Sequence, residues 1–146
     1  MHRTHPNAAL VRTCLSAVSE GDPDAWLACY TVDAVSEDVP LGSVWKGHTE
    51  LDAGVRSWLE AIPDTRMQVH TLSADDGAGA CEWTMTGTLQ GALDGLPPEL
   101  AALAKGKSFT MRGATVYRFS ADGRIAHEAL YWDLAGVLTQ FGLMGN

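Results

Sequence analysis

The chain has 146 residues, 46% of them hydrophobic and 19% charged, with a formal net charge of −8. That length fits one domain with a real core, and the acidic balance argues against nucleic acid and anionic membrane as partners, since both require basic patches. Three cysteines (Cys14, Cys29 and Cys81) form an odd set without metal-ligand spacing, and each reads as a small buried hydrophobe. No apolar run approaches membrane-spanning length and the N-terminus lacks a signal-peptide core, so the expectation is a soluble cytoplasmic protein.

In chain order, residues 7–19 carry an apolar stripe (Leu10, Val11, Cys14, Leu15, Val18) at helical spacing, ended by Glu20-Gly21. Asp22-Pro23 restarts a short helix, with Asp22 as N-cap and Pro23 at its first position, running to about Tyr30 with Trp26, Leu27 and Tyr30 inward. Residues 34–39 alternate weakly as a short strand bearing Glu37 and Asp38, and 43–45 resume extended chain after Pro40-Leu41-Gly42. A third helix spans about 48–62, its stripe being Leu51, Val55, Trp58, Leu59 and Ile62.

The remainder reads mainly as strands. Residues 66–73 alternate, Asp75-Asp76-Gly77 is a hairpin signal, and 80–89 place Cys81, Trp83, Met85 and Leu89 on one face. A loop over 91–107 holds a helical turn at 98–104. Residues 109–119 put Phe109, Met111, Gly113, Thr115, Tyr117 and Phe119 on one face and Arg112 and Arg118 on the other. Asp122-Gly123 turns into a last strand, 124–132, and Asp133 precedes a helix with Leu134, Val137, Leu138 and Phe141 in one stripe. The order indicates an α+β fold: N-terminal helices packed on a curved, mainly antiparallel sheet that encloses an apolar pocket.

Several short patterns carry a family resemblance: Gly-Leu-Pro-Pro (95–98), Gly-Lys (106–107), Arg-Gly (112–113), Tyr-Arg-Phe (117–119), Asp-Gly-Arg-Ile (122–125), Trp-Asp (132–133) and Leu-Thr-Gln-Phe-Gly (138–142). Gly47, Ile62-Pro63-Asp64 and Gly87-Thr88 add to it. Together they resemble SnoaL-like polyketide cyclases of the nuclear-transport-factor-2-like superfamily. The resemblance implies a cone-shaped α+β barrel, a dimer or higher oligomer, an apolar small-molecule substrate from secondary metabolism, and ring closure by aldol condensation without metal or organic cofactor. It also implies an acid–base aspartate on the last strand, where this chain has Leu130, and a histidine partner, where it has Thr115. Relatives that read Gly-Thr-His correspond to Gly87-Thr88-Leu89, and residues 99–104 are extra length expected at the pocket mouth.

The strand register that points Leu130 inward also points Glu128 and Trp132 inward, which makes Glu128 the first candidate for a general acid or base. The opposing reading is a solvated glutamate, because a one-residue slip reverses the face. Asp133 is the second candidate against an N-cap role, and Asp38, with Glu37, the third against exposed loop acids. His2 and His5 read as a frayed terminus, His48 as a first-turn residue, His70 as an outer-face residue, and His127 as lying opposite Glu128. No metal-ligand spacing, nucleophile elbow, P-loop or dinucleotide motif occurs. The expected lining is Trp58, Trp83, Met85, Met111, Thr115, Tyr117, Leu130 and Trp132, suited to a sizeable apolar or polycyclic ligand. Three functions follow: a cyclase or isomerase working by acid–base or shape-templated catalysis, a non-catalytic small-molecule binder, and an epoxide-opening hydrolase using two inward carboxylates.

Overall fold

The computed structural model describes residues 4–144. Helix α1 (Pro6–Ser19) starts on a proline at its first turn, with the His5 imidazole accepting the Asn7 backbone N–H at 3.0 Å. His5 is therefore an ordered N-cap rather than part of a frayed end, and it also reaches Asp76 across the fold at 3.0 Å. His2 lies outside the described residues. Helix α2 (Pro23–Leu27) is capped by Asp22 and stops before Tyr30, earlier than its apolar residues suggest. Tyr30 instead opens strand β1 (Tyr30–Asp38), which turns through residues 39–42 into β2 (Ser43–Lys46).

Helix α3 (Gly47–Ala61) follows directly, its Glu50 side chain accepting the Lys46 N–H at 2.9 Å. Strands β3 (Arg66–Ala74) and β4 (Ala78–Thr88) form the hairpin, closed by Asp75, whose carboxylate accepts the N–H groups of Gly77 and Ala78. Helix α4 (Pro98–Ala104) interrupts the long loop before β5 (Ser108–Phe119), β6 (Ile125–Trp132) and helix α5 (Leu134–Gln140).

The six strands make one open sheet in the order β2-β1-β6-β5-β4-β3. All pairings are antiparallel except β1 with β6, which run parallel and set Ser36 beside Glu128 and Asp38 beside Leu130. Helices α1 and α3 pack against the sheet through β3 and β1. The inner face is as the alternation predicts: Cys81, Trp83, Met85, Phe109, Met111, Thr115 and Tyr117 are all buried. No described helix is long and apolar enough to cross a membrane.

Candidate active site

The inner face of the sheet and the helices enclose a cavity of about 120 Å³. All eight residues expected to line it do so, from Trp58 on α3, through Trp83 and Met85 on β4 and Met111, Thr115 and Tyr117 on β5, to Leu130 and Trp132 on β6. Its volume resembles that of cavities that hold a single six-membered ring, which are about 150 Å³. The inner cavity is thus narrower than the polycyclic ligand that its aromatic lining suggests.

Two carboxyl groups border this cavity. Glu128 is 5% exposed, which settles its face: it points inward from β6 while its neighbour His127 points outward. The Tyr30 hydroxyl donates to Glu128 Oε1 at 2.6 Å, and the Ser36 hydroxyl donates to Oε2 at 2.7 Å. Tyr30 is held in turn by the Trp26 ring, centroids 4.4 Å apart, and accepts the Cys14 thiol at 3.4 Å. Among the described residues, no lysine or arginine lines the cavity. Burial therefore raises the Glu128 pKa, against the pull of Tyr30, Ser36 and, from behind the sheet, His127. Burial also holds the Tyr30 phenol and the Cys14 thiol protonated, well above their usual ranges.

Asp38 sits nearer the mouth, two residues along β1 from Ser36 and on the same face. Its Oδ1 accepts the Trp132 indole N–H at 3.0 Å and the Leu41 backbone N–H at 3.2 Å. Partial burial raises its pKa too, opposed by those two donors. The cavity thus holds a deep carboxyl among neutral donors and a shallower one with Oδ2 outside those two bonds. Such a pair can divide acid and base roles.

The other candidates go elsewhere. Asp133 is exposed and caps α5 by accepting the Gly136 N–H at 2.9 Å, so it does not reach the cavity. Glu37 faces outward, 3.1 Å from His127, as strand alternation from Asp38 requires. His48 binds the Tyr30 carbonyl at 2.9 Å, and His70 binds the Thr84 hydroxyl at 2.6 Å on the outer face. Residues 99–104 fold into α4 without lining the cavity, so the extra length does not shape its mouth. Thr115 accepts the Trp83 indole N–H at 2.8 Å, which fixes that ring across the cavity wall. Reading by strand and helix period leaves Tyr30 and Ser36 out of the site. Tyr30 was the available signal, a polar-tipped aromatic in a buried stretch that requires a partner for its hydroxyl. Among the described residues, no group of three or more His, Cys, Asp or Glu is placed to hold a metal ion.

A family model described as the SnoaL-like domain matches residues 11–128. The chain belongs to the SnoaL-like domain family. No curated protein sequence matches it. Among solved structures, this SnoaL-like protein is similar to TsrD from Streptomyces laurentii, with 21% identity over 99% of this chain and 100% of that one, TM-score 0.79. A protein from Jannaschia sp. CCS1 assigned as a SnoaL-like polyketide cyclase has 18% identity over 99% of each chain, TM-score 0.79. An LEH-like epoxide hydrolase of Mycobacterium tuberculosis has 19% identity over 93% of this chain and 89% of that one, TM-score 0.72. At these identities the likeness establishes the fold.

Proposed function

We propose that this SnoaL-like protein is a cofactor-independent cyclase or isomerase that moves a proton on a compact, polyketide-like carbonyl compound of secondary metabolism. The observation that carries the reading is Glu128, buried at the cavity wall with both oxygens on neutral hydroxyls and, among the described residues, no lysine or arginine in the lining. Burial shifts this carboxyl towards its protonated form against the pull of the two hydroxyls, and a protonated carboxyl donates a hydrogen bond to a carbonyl oxygen that gains negative charge.

Asp38 supplies the complementary base. Asp38 is only partly buried where Glu128 is buried, so desolvation opposes its carboxylate less, and in this reading it removes the α-proton while Glu128 stabilises the enolate oxygen. From that enolate, return of the proton at another carbon is isomerisation; attack of the enolate carbon on a second carbonyl of the same molecule opens that carbonyl's π bond and closes the ring, and the new alkoxide takes back the proton held by Asp38. The indole and thioether walls favour a compact conformer, which lowers the barrier to the second route.

The test is deuterium uptake at the α-carbon of small cyclic ketones and 1,3-diketones in D₂O, followed by NMR. The wild type accelerates exchange, while Asp38→Asn and Glu128→Gln each slow it roughly a hundredfold or more with binding retained. Binding without exchange by the wild type would support a non-catalytic carrier instead.

One observation favours a second reading. Asp38 and Glu128 border the same cavity from neighbouring strands, as a hydrolase that activates water beside an epoxide requires. Conversion of a small cyclic epoxide in H₂¹⁸O to a diol carrying one heavy oxygen, without ketone exchange, selects that reading.

A further inference from the structure

Outside the inner cavity lies a second chamber of about 390 Å³, and the two share Asp38, Ser43, Trp45 and Trp58 as a common wall. The wall is built rather than incidental. Gly54 and Trp58 lie one turn apart on the same side of α3. The Trp45 indole from β2 lies so closely over Gly54 that any Cβ there would run into the ring. Trp58 is fixed by donating its indole N–H to the Thr65 hydroxyl at 3.1 Å, and that hydroxyl donates to the Ile62 carbonyl at 2.6 Å. Two indoles are thereby held at the boundary between the chambers.

The opposite rim is the loop before α4. Leu93 packs on the core, and Gly95, at φ +85°, carries the Leu41 side chain against its backbone. Between these anchors stands Asp94, which lines the outer chamber together with Asp38. Among the described residues, no lysine, arginine or histidine is in the lining. The inner cavity, in contrast, is walled almost wholly by apolar groups, and its deep carboxyl already has two partners.

From this division we infer that the ligand has two parts: a ring-sized apolar carbonyl body in the inner cavity and a cationic, amine-derived arm in the outer chamber. Two indoles and two carboxylates in one lining are complementary to an alkylammonium group, which an indole ring and an acidic side chain each attract. The chain's net charge of −8 favours the approach of such a cation. The proposal rests on the proton-transfer reading only for placing the carbonyl beside Glu128; the site for the arm stands on the indoles and Asp94.

The test is a matched pair of probes, a cyclohexenone carrying a 2-(trimethylammonio)ethyl arm and its neutral 3,3-dimethylbutyl isostere, titrated by calorimetry. The cation is expected to bind about five- to thirtyfold more tightly. Asp94→Asn, a change at an exposed loop position, should lower that preference while leaving the neutral isostere's affinity unchanged, and Trp45→Leu should lower it further. Equal affinities, tighter binding of the neutral probe, binding of neither, or a preference untouched by Asp94→Asn would overturn the proposal. Titration in the Glu128→Gln background separates the two claims. A cation preference that survives there without α-proton exchange by the wild type leaves the arm site standing and removes the catalytic reading. Exchange of the neutral probe with no cation preference does the reverse.

Discussion

Tyr30 and Glu128, 98 positions apart in sequence, meet in a 2.6 Å hydrogen bond inside the cavity. The bond lowers the Glu128 pKa against the larger rise that burial imposes. Tyr30→Phe removes this donor and leaves Oε1 buried without a partner, which should destabilise the fold by about 1–3 kcal/mol. It also pushes the Glu128 pKa further up. Since the proposed role of Glu128 requires its proton, the alkaline limb of the α-exchange rate should move to higher pH in the variant. A limb that stays in place would separate Glu128 from the chemistry.

Glu128 also sets a stability signature. Its pKa is raised in the fold, so the native state holds a proton that the unfolded chain has released once pH exceeds the ordinary glutamate value of about 4.3. Wild-type stability therefore falls as pH rises from there towards the folded-state pKa, by up to about 1.4 kcal/mol per pH unit from this group. Glu128→Gln removes the titration, and Tyr30 and Ser36 can each rotate a hydroxyl to meet the amide. Urea denaturation across pH should show the variant gaining on the wild type through that window. Parallel curves would contradict the burial argument.

Strand alternation groups Glu128 with Leu130 and Trp132, but the phase came from the family resemblance and a one-residue slip would have turned Glu128 outward, so the sequence left its face open. Its partners were not legible, because they arrive through the parallel pairing of β1 with β6, which no local period records. Two irregularities add to this. The register shifts between Tyr30 and Val35, and Ala126 is an extra residue opposite β5, so Ile125 is buried three positions before Glu128 rather than two or four. The aromatic wall was fully legible, since Trp83, Met85, Met111 and Tyr117 keep strict alternation along unbroken stretches of β4 and β5. Asp133 and Asp38 were ambiguous for one reason: each stands at a strand end, where an acid serves equally as cap or site residue, and only tertiary packing decides.

For Asp133 it decides for the cap. Asp133→Ala should lower stability by about 0.5–2 kcal/mol through loss of the bond to the Gly136 N–H, with exchange kinetics unchanged. Thermal melts and the exchange assay on the same preparation test both halves. A large loss of rate at full stability would return Asp133 to the chemistry.

Trp132 gives the complementary test at the mouth. Its indole N–H donates to Asp38 Oδ1 at 3.0 Å, and this bond, like the one from the Leu41 N–H, favours the carboxylate against burial. Trp132→Phe keeps an aromatic wall, removes the donor and trims the ring. The Asp38 pKa should then rise, by less than about one unit for a single neutral hydrogen bond worth about 1 kcal/mol. A base must be ionised to act, so activity is lost as pH falls through this pKa, and the acid limb of the exchange profile should move to higher pH. The alkaline limb, set by Glu128, should stay where it is. Tyr30→Phe moves the alkaline limb and Trp132→Phe the acid limb, so the two variants together assign the roles. If both changes act on the same limb, one carboxyl carries the chemistry and the division of labour between Asp38 and Glu128 is wrong.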